Sequence, residues 1–325
     1  MAILNPSGLR NRGAAAVERC RGECLRLVLI YCGVTALLNL GSNGLHLYLD
    51  SHIVGTGGLS GLGMRSVLQT VQELLVYINF FFTPFWTAGF LFAMMNLVRG
   101  QAPGSADLLA GFRRFGRVLA HTAFHVMILM VLVMAAANAA AVIFSFTPLS
   151  GDFVEQMGPL LNDPAVFTPE GVLDLSRVPM DTVMAAMWPM LVITGLILAP
   201  VYIWLSYGFR LSLYLVMDQP IGGARAYMES MRLMKGHKRE LFRLDLHFWW
   251  YHVLGLLIAL VGYLDTILKY FGISLPMDPT VMFFLTLGVY FVLQTGLFLW
   301  KKCEVDSTYV LAYEAIVRSD PAQYE

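Results

Sequence analysis

The stretch VMAAMWPMLVITGLILAPVYIWLSYGFRLSLYLVM, Val183 to Met217, carries one basic residue, Arg210, and two prolines, Pro189 and Pro200, in an otherwise apolar run. About 20 residues suffice to cross the hydrocarbon of a bilayer. The run therefore reads either as two short spans broken at Pro200 or as one span with an apolar extension. The choice sets the number of crossings and the side on which everything after it lies, and the rest of the chain has to make it.

Five other stretches are long and apolar enough to cross, near Leu25 to Leu47, Leu74 to Val98, Val118 to Thr147, Phe248 to Phe271 and Val281 to Trp300. Short cytoplasmic loops are enriched in Lys and Arg. Of the 22 such residues, five lie at the N-terminus as far as Arg26, four follow the second span (Arg99, Arg113, Arg114, Arg117), seven lie beyond Tyr207 (Arg210 to Arg243) and three follow the last span; Arg65, Arg177 and Lys269 stand alone in the other loops. Reading Val183 to Tyr207 as one span places nineteen of the 22 on one side. Splitting it at Pro200 would send the seven that follow outside. The expectation is an all-α, six-span bundle forming one membrane domain over 1–325. It has an amphipathic cytoplasmic segment at 1–24, a cytoplasmic tail at 301–325 and both termini inside.

Composition agrees. The chain is 57% hydrophobic and 14% charged, with mean hydropathy +0.64, more apolar surface than a soluble core of this size hides. Its formal net charge of zero gives no reason to expect a nucleic-acid partner. No signal-peptide pattern precedes the first apolar run, so that span is expected to be retained. Cys20, Cys24 and Cys303 fall on the cytoplasmic side and Cys32 within the first span; free thiols are expected rather than a disulfide.

A short basic amphipathic segment precedes the first, third and fifth spans. The expected apolar stripes are Val17, Cys20, Cys24 and Val28 in the first. In the second they are Leu108, Phe112, Phe115 and Leu119 after a cap at Ser105, and in the third Ala224, Tyr227, Met231 and Met234. Each reads as a helix on the cytoplasmic leaflet, where anionic lipid would attract it. The glycine-rich Gly55 to Ser66 lacks the Lys-Ser/Thr ending of a phosphate loop and reads as a linker. Pro148 to Asp181, rich in proline and acid, reads as a solvated loop.

Ionisable residues near the spans are the candidate site residues, because burying charge in a bilayer costs about 2.5 to 3.5 kcal/mol on insertion scales. Arg210 falls at the cytoplasmic edge if Trp188 marks the outer one. Asp218 and Asp245 lie at comparable depth, and a carboxylate from either suits its planar fork. The aromatic belt Trp249-Trp250-Tyr251 leaves Arg243, Asp245 and His247 at the headgroups. His121 and His125 lie one helical turn apart, but no third ligand is evident, so no metal is expected. Asp265 and Lys269, also one turn apart, read as an ion pair. Around Asn138 the alanines of span three suit close helix packing.

The stretch Met231 to Gly255 also carries a resemblance. Met234-Lys235-Gly236, Lys238, Leu241-Phe242, Leu244, Leu246, Phe248 and Leu254-Gly255, with Asp218, Pro220 and Ser230 before them and Leu299-Trp300, Thr308 and Tyr313-Glu314 after, resemble a bacterial integral-membrane family, domain of unknown function nine-seven-five. His237 departs from the family's Asn, Trp249-Trp250-Tyr251 replaces smaller residues, and Cys303-Glu304 stands in place of Pro-Tyr. The resemblance implies six spans, a bacterial cytoplasmic membrane and no established activity.

Neither a G-x-S-x-G element nor a nucleotide motif occurs, so no catalytic residue or cofactor is expected and the protein reads as non-enzymatic. The proline-interrupted spans around Pro84, Pro189 and Pro200 favour a transport-class role, with a solute or lipid path between helical hairpins. The alternative is an assembly or regulatory scaffold that binds partners and anionic lipid at the cytoplasmic leaflet.

Overall fold

The computed structural model describes residues 5–52, 59–161, 180–264, 267–268 and 278–319. Helices α1 (Pro6–Arg19), α2 (Arg21–His52) and α3 (Leu59–Val98) lead to a 3-10 turn, Ser105–Leu109, then α4 (Ala110–Arg113), α5 (Phe115–Ser145), α6 (Leu149–Leu161) and α7 (Met180–Phe209). Next come α8 (Ser212–Asp218), α9 (Gly223–Leu233), α10 (Lys238–His247), α11 (Trp249–Val261), α12 (Pro279–Leu297), one π-helical turn at Phe298–Lys302 and α13 (Cys303–Arg318). No strand occurs among the described residues. Among the described residues five helical runs are long and apolar enough to cross a membrane: Arg21–Gly41, Thr70–Val98, Phe115–Ser145, Ala186–Asp218 and Phe284–Arg318. A sixth exists if α10 and α11, bent by 66° at Phe248, count together.

Contacts divide the chain into two units, Met1–Thr122 with Arg210–Glu325, and Ala123–Phe209. In the smaller, α6 packs against α7 and the Phe144 ring meets Phe153 edge to face at 6.0 Å. Part of the expected solvated loop is thus the helix α6; its remainder, 162–179, lies outside the described residues. Ala136 and Ala140 are buried, as close packing requires, but Asn138 donates to the Met134 carbonyl of its own helix at 2.7 Å.

The larger unit contains an unexpected distribution of burial. Exposed apolar residues such as Leu37, Phe80, Leu256 and Val292 cover the apolar runs, whereas the buried residues concentrate in Phe85–Leu97 of α3, Leu211–Met217, α9, α10 and α13. Lipid tails solvate apolar side chains as well as neighbouring helices do, so a span needs no core, whereas a helix in water does. Helix α3 has 40 residues, about 60 Å at 1.5 Å each and roughly twice the hydrocarbon thickness. Its buried residues lie in the C-terminal third, Phe85–Leu97.

Backbone contacts lock this packed layer. A Cβ on Gly89 would lie 1.9 Å from the Leu108 carbonyl oxygen, and one on Gly111 would lie 2.0 Å from that of Phe85. The segment Ser105–Arg113 therefore lies directly on α3, with Phe112 stacked on Phe85 at 5.3 Å and Phe115 on Phe85 at 4.9 Å. Its cap is Gly104, whose N–H donates to Asp107 at 2.9 Å; Ser105 opens the helical turn rather than capping it. The expected stripes shift as well. In α9 the buried residues are Gly223, Ala226, Tyr227, Ser230 and Leu233, followed by Met234, while Met231 is exposed. Helix α13, expected as a tail, is buried along most of its length and packs on α1 and α3.

Candidate functional site

The apolar run from Val183 stays in one continuous helix, α7, as far as Phe209 and carries both Pro189 and Pro200 inside it. It breaks at Arg210 and Leu211, where the Leu211 N–H donates to the buried Ser230 hydroxyl at 3.1 Å. After this break α8 buries Leu215, Val216 and Met217 completely. The apolar surplus tucks against other helices.

At the break Arg210 projects towards α10. Its Nη2 donates to Asp245 Oδ1 at 3.1 Å and its Nη1 to Asp245 Oδ2 at 3.4 Å, a two-point contact that a guanidinium fork makes and an ammonium does not. The guanidinium also lies 4.8 Å over the Tyr309 ring, and the Tyr309 hydroxyl donates to the same Asp245 oxygen. His252 reaches that hydroxyl at 3.4 Å. The break after α7, α10, α11 and α13 thus meet at one carboxylate.

A second knot forms at the end of α3. Gly100 adopts φ +83°, and the N–H groups of Gly100 and Gln101 return to the carbonyls of Leu97 and Asn96, the left-handed ending that glycine favours. This ending leaves Arg99 at the last position before the turn, near the negative end of the helix dipole. Arg99 pairs with Asp218 at 2.7 Å and Glu314 at 3.1 Å. Burial opposes its charge, but the two carboxylates outweigh that and hold its pKa above the ordinary value. Tyr313 donates to Asp218 at 2.9 Å and stacks on Tyr214 at 5.3 Å.

The π-helical turn supplies a third. Lys302 lies over the rings of Phe90, Phe298 and Tyr31 at 4.7, 4.9 and 5.2 Å and pairs with Asp306 at 3.0 Å. An ammonium enclosed by ring faces keeps its charge stabilised where water is scarce. Its neighbour Lys301 turns the other way, to Glu304, which Arg10 of α1 also reaches at 3.2 Å.

Several expected site residues have separate fates. Arg210 takes Asp245 and leaves Asp218 to Arg99, which the sequence reading counted only as a loop charge. His247 is exposed and its Nδ1 lies 3.0 Å from the Arg243 carbonyl. His121 lies 2.9 Å from the Ser212 hydroxyl and stacks on Tyr227 at 4.9 Å, while His125 follows one turn later on α5 in the smaller unit. Asp265 and Lys269 lie outside the described residues. Arg113, Arg114 and Arg117, expected to face lipid, reach the Ala106 carbonyl, the Phe92 ring and the Gln219 carbonyl respectively. Sequence reasoning missed Tyr309, Glu314, Lys302 and Asp306 as parts of the layer. The signal for them was the density of charged and aromatic residues in 301–314, which a solvated tail has no need to bury.

Chemically the first two knots are ion pairs with a tyrosine donor and the third is an ion pair with an ammonium over ring faces, arrangements that fix helices to one another. Among the described residues no group of three His, Cys, Asp or Glu side chains is placed to hold a metal. Several helices apolar and long enough to cross a bilayer, continuing into a packed and ion-paired layer, define a multi-pass helical membrane protein. The chain belongs to the family described as "Protein of unknown function (DUF975)", whose model matches residues 44–317. Comparison with curated proteins finds no match, and neither does comparison with solved structures.

Proposed function

We propose that the protein is a non-enzymatic assembly or regulatory scaffold of the cytoplasmic membrane, with six spans and both termini cytoplasmic. In this reading the ion-paired layer is a folded platform on the cytoplasmic leaflet. The observation that carries it is the placement of the core. Burial and ion pairing concentrate at the basic ends of the helices, where Arg10, Arg99 and Arg210 each tie segments of chain by ion pairs and Lys302 does so over the Tyr31 and Phe90 rings. A chain that only crossed the membrane would have little reason to build such a layer. Its outer surface, on α9 and α10, exposes Arg225, Arg239 and Arg243 beside Met228, Phe242 and Leu246. Basic and apolar side chains together suit anionic lipid or a partner helix resting on it.

The transport reading leans on proline-broken spans. Helices α3 and α7 run unbroken through Pro84, Pro189 and Pro200, which removes that support. The test is hydrogen exchange on the full-length protein in lipid discs. Anionic lipid should protect 223–247 more than zwitterionic lipid does, and Arg225→Glu, Arg239→Glu and Arg243→Glu together should abolish the difference. Equal protection in both lipids, with a solute that raises the unfolding temperature, would favour transport instead.

A further inference from the structure

A cleft of about 270 Å³ opens between α1, the first turns of α2 and the π-helical turn, and Glu18, Arg21, Leu25, Trp300, Lys301 and Glu304 define its character. Its rim carries two charges of each sign. Glu18 and Arg21 lie 3.6 Å apart and both are about 70% exposed, so their mutual attraction is weak and either is available to a ligand. Lys301 and Glu304 pair on the opposite wall. The floor is apolar and does not stop at the cleft. Leu25 and Leu29, one turn apart, are exposed along α2, and Trp300 is 63% exposed at the end of the last apolar helix.

These features select an occupant with two opposite charges at one end and hydrocarbon at the other. The volume falls just below the usual range of small-molecule sites and suits a headgroup rather than a whole lipid. Glu304 is already held by Arg10 and Lys301, but an anionic headgroup would set like charge against the exposed, loosely paired Glu18; a free phosphate would leave the apolar floor unused. We propose that the cleft binds the headgroup of a zwitterionic phospholipid with a primary ammonium. Its phosphate lies against Arg21 with Lys301 nearby, its ammonium donates to Glu18, and its chains run along Leu25, Leu29 and Trp300. A primary ammonium offers the carboxylates hydrogen bonds that a quaternary one cannot. The site requires only that this end of α2 and α12 lies at a membrane surface, and it is separate from the anionic-lipid surface of α9 and α10.

The test is native mass spectrometry of the full-length protein titrated with phosphatidylethanolamine, phosphatidylcholine and phosphatidylglycerol of identical chains. Phosphatidylethanolamine should bind about tenfold more tightly than the others, and Glu18→Gln with Arg21→Gln should erase most of that preference. Both residues are exposed, so the unfolding temperature without lipid should not change. Equal binding of the three lipids, a preference for phosphatidylglycerol or phosphatidylcholine, or a preference that survives the double substitution would each overturn the proposal. The α9–α10 exchange experiment is read separately, so failure of one leaves the other standing.

Discussion

At Asp245 three donors from two segments converge: both terminal nitrogens of Arg210 and the Tyr309 hydroxyl. Removing a donor from a partly buried carboxylate costs more than the bond was worth in water, because no water replaces it freely. Arg210→Lys keeps the charge but loses the two-point contact, and should lower stability by about 1 to 2 kcal/mol. Tyr309→Phe should cost about 1 kcal/mol. Because both donors share one acceptor, the double substitution should depart from additivity in a thermal-unfolding cycle. Additive effects would mean that the two contacts are independent. That Arg210 needs a carboxylate is legible in the sequence, since a single guanidinium at the end of a long apolar run must find one or snorkel. Which of Asp218 and Asp245 it takes is not, because both lie at similar depth; Arg99 decides the matter by occupying Asp218.

Elements show a different limit. The spacing of apolar residues in 105–119 and 224–234 suggests helices, but Phe115, Ala224 and Met231 of the expected stripes are exposed, and the spacing does not say what covers the buried side. A lipid surface and a neighbouring helix are equally apolar, and only backbone proximity distinguishes them. Gly89 and Gly111 supply that evidence, since both are spaces that a side chain would fill. Gly89→Ala should displace the segment Ser105–Arg113 from α3, with a marked fall in unfolding temperature and new protease cleavage between 99 and 114. Gly116→Ala, where a Cβ meets nothing within 4 Å, should be neutral or stabilise by up to about 1 kcal/mol. If both substitutions are tolerated alike, the segment does not lie on α3 as described. The charged run 232–245 is likewise readable as the approach to an apolar helix. The 66° bend falls at Phe248, whose side chain is completely buried, and no local pattern announces it.

For the whole molecule the proposed orientation is open to a direct measurement. In a background without native cysteines, Ser60→Cys and Ala165→Cys should react with an impermeant thiol reagent on intact cells, and His237→Cys should react only after lysis. External labelling at 237 would invert the topology and move the packed layer outside. The class of protein follows from the sequence by itself, because length and hydropathy of apolar runs are local quantities and a bilayer imposes a fixed thickness on them. The asymmetry of the 22 basic residues is equally local, and it carries the expectation of which side is inside. Where the core lies, and that α13 belongs to it, only the tertiary structure decided. Residues 99, 218 and 314 are scattered along the chain, and they become one ion-paired knot only when α3, α8 and α13 are brought together.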